Sequence, residues 1–143
     1  MDLACIINTL GGKKIIRATV RSRMDLIELT RVGLTKAALL HLAGKLSLST
    51  GQMAALLPVT ERTIQRYTLR QHFSRAVSEH ILQIAEVAAR GIEVFHERER
   101  FLAWLNHPGK ALDNRTPVSL LNSRIGAEIV LDELGRIEYG IIS

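Results

Sequence analysis

What this sequence lacks narrows its fold before any motif is considered. A single cysteine, Cys5, excludes an internal disulfide framework. It is read as a small buried hydrophobe. Aromatic residues make up only 4% of the 143 residues while 47% are hydrophobic, so the core must be built from Leu, Ile, Val and Ala. That favours packed helices over a sandwich. No apolar run approaches the ~20 residues needed to cross a bilayer. The start, MDLACIINTLGG, carries an acid and no basic leader region, so a cytoplasmic protein without membrane contact is expected. The five histidines are dispersed with no HExxH or Cys/His ligand spacing, which argues against a metal. Gly11-Gly12-Lys13-Lys14 lacks the frame of a phosphate loop and reads as a turn. HERER (His96 to Arg100) reads as a solvated helix face rather than catalytic carboxylates, and Trp104 as core. With no nucleophile and base, metal cluster or phosphate loop, no enzyme and no cofactor are expected.

Negative charge is scarce in one half. Residues 1–75 hold 12 Lys and Arg against 4 Asp and Glu, whereas residues 76–143 hold 7 against 10. A basic half of this kind attracts a polyanion. The acidic half calls for a different partner.

Within the basic half, STGQMAALLPVTERTIQRY (Ser49 to Tyr67) contains two helix starts close together. Ser49 and Gln52 have capping-box spacing, with Leu48 and Met53 at the staple positions. Thr60 is a second N-cap, flanked by Val59 and Ile64. Pro58 pushes the residue before it out of the helical region and ends the first helix. In the second helix, Ile64 and Tyr67 face inward with Thr63 beside them. Arg62, Gln65, Arg66 and Leu69 form an opposite stripe. Arg and Gln match guanine and adenine edges in the major groove. The expectation is a helix-turn-helix in which Arg62, Gln65 and Arg66 read DNA, while Gln52 and Thr60 fix the helices against the backbone.

CIINTLGGKKIIRATV suggests a hairpin or short strand around Gly11 and Gly12. Ser22 and Asp25 start a helix with Leu26, Ile27, Leu29 and Val32 on its apolar face, closed by Gly33. Thr35 caps the next, with Ala38, Leu39, Leu42 and Ala43 at core spacing. A long connecting helix follows, carried by Ala76, Ile81, Ile84, Ala85, Ala88 and Ile92. Phe101, Leu102, Trp104 and Leu105 mark another helix before Pro108 and Gly109. A short helix from Pro117 to Leu121 precedes a last one with Ile129, Val130 and Ile137 inward. The expected fold is all-α: a helix-turn-helix domain over 1–75 and a small helical domain over 76–143, with the short β segment at the N-terminus.

Several separated elements resemble the bacterial Xre/MbcA/ParS-type antitoxins, the DNA-binding partners of RES-domain toxins. In the second half these are Trp104-Leu105, Pro108, Ala111-Leu112, TPVSLL (Thr116 to Leu121), Gly126 and RIEYG (Arg136 to Gly140). In the first they are LGGKK, Asp25-Leu26, RVGL (Arg31 to Leu34) and the helix-turn-helix. Two positions depart from the pattern: Pro58 stands where such turns often have Gly, and His80 where an arginine is expected. The resemblance implies a homodimer that represses its own operon by binding operator DNA. It also implies a C-terminal domain that dimerises and grips the toxin, and a tail that approaches the toxin's NAD-using site. The tail residues so implicated are Arg136, Glu138, Tyr139, Gly140, Ile141, Ile142 and Ser143, with Gly140 supplying flexibility. An apolar terminus such as Ile141-Ile142 is costly to leave wet. The alternative is a helix-turn-helix regulator or partition-type protein with no toxin partner.

Overall fold

The computed structural model describes residues 2–140. Its helices are α1 (Leu3–Thr9), α2 (Arg23–Val32), α3 (Lys36–Lys45), α4 (Thr50–Leu56), α5 (Glu61–Arg66), α6 (Arg75–Phe95), α7 (Arg98–Leu105) and α8 (Arg124–Gly140). Single 3-10 turns lie at Gly12–Lys14, Lys110–Leu112 and Pro117–Leu120. Helix α6 is the spine. Helices α1 and α2 pack along it from the first half, and α7 and α8 from the second. Ser74 starts it by accepting the Val77 amide at 3.3 Å, and His96 ends it in the left-handed region at φ 64°. One continuous apolar core runs from Ile6 to Leu134 through Ile81, Ile84, Ala85 and Ala88 of the spine.

The N-terminal segment is helical, which corrects the expected β segment. Asp2 caps α1, its carboxylate accepting the Ala4 amide at 2.9 Å, and Ile6 and Leu10, one turn apart, are fully buried. Burying that pair against α6 outweighs the β preference of the isoleucines. Gly11 and Gly12, at φ 106° and 73°, make a turn that leads into the 3-10 turn rather than a hairpin. Among the described residues β pairing is limited to two isolated bridges, Thr35 with His72 and Gly109 with Arg115.

The predicted caps are present. The Asp25 carboxylate accepts the Arg21 and Ser22 amides, and Thr35 Oγ1 accepts the Ala38 amide. Gly33, at φ 100°, closes α2 where the Phe73 carbonyl approaches so closely that a Cβ would lie 2.3 Å from it. Glycine is therefore required there on two counts.

Three expected faces need narrowing. On α2, Leu26 and Leu29 are buried while Ile27 and Val32 are exposed. On α6, Ala76 is exposed. On α8, Ala127, Val130 and Leu134 form the buried seam, and Ile129 faces solvent with Ile125. Adjacent helical residues are 100° apart, so Ile129 and Val130 cannot share a seam this narrow.

Candidate functional site

The expected site residues fall on two features: the helix-turn-helix, α4 and α5, and the C-terminal end of α8.

Helix α4 starts in a reciprocal capping box. The Gln52 amide donates to Ser49 Oγ (3.1 Å) and the Ser49 amide to Gln52 Oε1 (2.8 Å). Leu57, extended before Pro58, ends it. Helix α5 starts at Thr60, whose hydroxyl accepts the Thr63 amide at 3.1 Å and donates to Thr63 Oγ1 at 3.0 Å. The two helices touch closely, since a Cβ at Gly51 would lie 2.3 Å from a Glu61 carboxylate oxygen. Ile64 is fully buried, and Tyr67 stacks on Phe73 with ring centroids 4.9 Å apart. Arg62, Gln65 and Arg66 remain exposed. Neither arginine forms an ion pair among the described residues. Leu69, expected on the same stripe, lies beyond the helix in the following loop, because α5 ends at Arg66.

That ending has a cause absent from the sequence pattern. Lys36 Nζ donates to the carbonyl oxygens of Tyr67 (2.9 Å) and Gln65 (3.4 Å), satisfying acceptors that a short helix leaves open at its C-terminus. The next residues are stitched to the start of α3 by Ala37 N to Leu69 O, Lys36 N to Gln71 O and Phe73 N to Leu34 O. The α5 axis is thus fixed at both ends. Lys36 lies 29 residues before Gln65, so no local signal announces the contact.

In the second half of the chain, α8 continues through Tyr139 to Gly140. Gly140, expected to supply flexibility, here extends the helix. Residues 141–143, including Ile141, Ile142 and Ser143 of the expected tail, lie outside the described residues. Glu138 falls on the seam side of α8, one turn beyond Leu134, and meets Arg90 of α6. Arg90 Nη1 and Nη2 donate to its two carboxylate oxygens at 3.0 and 2.8 Å, and Nη1 also reaches Glu93. Such bidentate pairs are strong and directional. Hydrogen bonding from Arg90 holds the Glu138 carboxyl below its ordinary range. The stabilisation this brings is present above the ordinary glutamate pKa and is lost as pH falls through the lowered one.

Arg136 pairs with Glu133 at 2.9 Å and is otherwise open, and Tyr139 is exposed. Arg136, Tyr139 and Gly140 line a groove of about 780 Å³ together with Arg90, Leu131, Asp132 and Gly135. Glu138 is committed to Arg90 beside that groove.

A second long-range arginine joins the halves. Arg98 of α7 donates to the Lys45 carbonyl (2.9 Å), the Gly44 carbonyl (2.8 Å) and Ser47 Oγ (2.7 Å) at the C-terminus of α3. Neither contact was legible in the sequence. Both act over about fifty residues of separation.

Among the described residues no group of His, Cys, Asp and Glu has the geometry to hold a metal, and no helix is long and apolar enough to cross a membrane. Capped α4 and α5, with the other helices gathered on α6, define a helix-turn-helix protein carrying a helical C-terminal domain.

Comparison with known proteins gives that class a family. A model described as the antitoxin Xre-like helix-turn-helix domain matches residues 25–86. Another, described as the antitoxin Xre/MbcA/ParS C-terminal toxin-binding domain, matches residues 90–140. The chain belongs to the Xre/MbcA/ParS antitoxin family. It is 32% identical over 80 residues to Antitoxin Xre of Yersinia enterocolitica, covering 55% of this chain and 54% of that protein. It is 31% identical over 72 residues to Antitoxin Xre of Photorhabdus laumondii, covering 50% and 49%. The chain thus spans about half the length of the curated relatives it matches. A chain in the crystal structure of the M. tuberculosis MbcT-MbcA toxin-antitoxin complex matches with a TM-score of 0.54 and 17% identity, over 85% of this chain and 98% of that one. At that identity the likeness is one of fold.

Proposed function

We propose that this chain is the antitoxin of a toxin-antitoxin pair: it neutralises a RES-domain, NAD-using toxin by occluding the toxin's active site, and it represses its own operon through α4 and α5. In this reading residues 1–75 hold operator DNA, and residues 76–143 dimerise and bind the toxin. The observation that carries it is the match of residues 90–140 to a toxin-binding domain, which ends at Gly140 where α8 presents Arg136 and Tyr139. The exposed apolar pair Ile125 and Ile129 lies on the same outward side of α8 and adds area for a protein partner.

Deleting residues 140–143 separates the two activities. Growth rescue beside the toxin should weaken, while a mobility shift on the chain's own promoter stays almost unchanged, because the reading helix lies in the other half. Full rescue by the truncated chain would remove the tail from the mechanism. A neighbouring gene that is harmless when expressed alone would favour a regulator with no toxin partner.

On the DNA side, Arg66→Ala should cost about 1–3 kcal/mol of specific binding if Arg66 makes a bidentate base contact. The measurement is a competition mobility shift with operator and unrelated duplexes. Equal loss on both would reassign Arg66 to a phosphate.

A further inference from the structure

The basic residues outside α5 are not spread evenly. Between Lys13 and Arg23 the chain carries five cations and no acid. The fold brings part of this run against the exit of the recognition helix. Lys14 and Arg17 line a cavity of about 480 Å³ together with Arg70 and His72, which follow α5. No carboxylate lines that cavity, and Lys14, Arg17 and Arg70 are exposed. None of the three forms an ion pair among the described residues, whereas eight other arginines do.

Their backbones are held. Ile16 is buried and its amide donates to the Gly12 carbonyl at 2.8 Å, which fixes Lys14 and Arg17 on either side of an anchored residue. Arg70 follows Leu69, whose carbonyl takes the Ala37 amide at 2.9 Å. His72 Nδ1 donates to the Gly33 carbonyl at 2.6 Å. Three unneutralised cations on held backbone, placed where α5 leaves the helix-turn-helix, present positive charge that attracts a polyanion.

The geometry points to a second nucleic-acid contact: Lys14, Arg17 and Arg70 form a phosphate clamp that grips the DNA backbone flanking the bases read by α5. This rests on the helix-turn-helix reading of α5. The clamp supplies affinity and register without sequence preference, as phosphate contacts do. Ile15, Leu29 and Leu34 line the same cavity and take no part in the contact.

The test is the salt dependence of binding by the full-length chain, measured by fluorescence anisotropy on a promoter duplex and an unrelated duplex of equal length. Each lost phosphate contact lowers the slope of log K against log salt by about 0.9. Lys14→Ala/Arg17→Ala should lower it by about 1.8 on both duplexes and leave the preference between them unchanged. Lys110→Ala/Arg115→Ala removes the same charge from the other half and should leave the slope as in the wild type. Lys14→Arg/Arg17→Lys should also retain it. Equal slopes for the two alanine pairs would overturn the clamp, as would a slope loss in the charge-conserving pair. No binding by the wild type to either duplex would instead remove the helix-turn-helix reading itself.

Discussion

Gly126→Ala is expected to unseat the start of α8 and lower the stability of the chain by more than the ~1–3 kcal/mol usual for an overpacked site. A Cβ built on Gly126 would lie 1.9 Å from the Leu120 carbonyl oxygen and 2.9 Å from its carbon. Those are backbone atoms of the Pro117–Leu120 turn, so no side-chain rotation can relieve the overlap. The Gly126 amide also donates to Ser123 Oγ at 3.0 Å, which pins the same first turn from the other side. The urea midpoint of the variant, read by circular dichroism, is the direct measure. Gly135→Ala is the matched control, because nothing lies within 4 Å of its Cβ; alanine there should be neutral or stabilising by about 0.5–1 kcal/mol. If both variants unfold at the same urea concentration as the wild type, the close approach of α8 to the turn is wrong. If toxin neutralisation depends on α8, growth rescue should fail with Gly126→Ala and survive Gly135→Ala.

Phe101→Ala is expected to cost about 3–5 kcal/mol, the range for deleting a buried aromatic ring. Phe101 is fully buried, and its ring lies directly on Gly91 of α6: a Cβ there would meet ring atoms at 2.1 to 2.6 Å. Phe95 and Trp104 complete the cluster, with centroids 6.4 Å from Phe101 and 5.7 Å from each other. The contact therefore sets how closely α7 approaches the spine. Gly91→Ala should be destabilising alone and should cost less when combined with Phe101→Leu, because the smaller side chain vacates the space. Additive effects in this double-mutant cycle would show that the two residues do not share the site.

The lessons about legibility lie in particular elements. Ser49, Gln52, Thr60 and Pro58 were readable because capping and helix stopping are local: the partner of each group lies within three residues. Thr35 with Ala38 and Asp25 with Ser22 were readable for the same reason. The N-terminal segment misled because the β preference of Ile6, Ile7, Ile15 and Ile16 is local, whereas the burial of Ile6 and Leu10 is decided by α6, some eighty residues away. Gly140 misled because glycine signals flexibility in isolation, and here Glu138, two residues before it, is held by Arg90.

By itself the sequence determined a chain that is helical beyond its first twenty residues, a helix-turn-helix between Ser49 and Tyr67, a basic first half and an acidic second half. It did so because helix period, caps and charge are properties of neighbours along the chain. Only the tertiary structure decided that α1 is a helix, that Lys36 closes α5, that Arg98 ties α7 to α3 and that Glu138 faces inward to Arg90 while Arg136 and Tyr139 face out. Each of these depends on a group brought into reach by packing on α6, and a contact across tens of residues leaves no periodicity in the sequence from which it could be read.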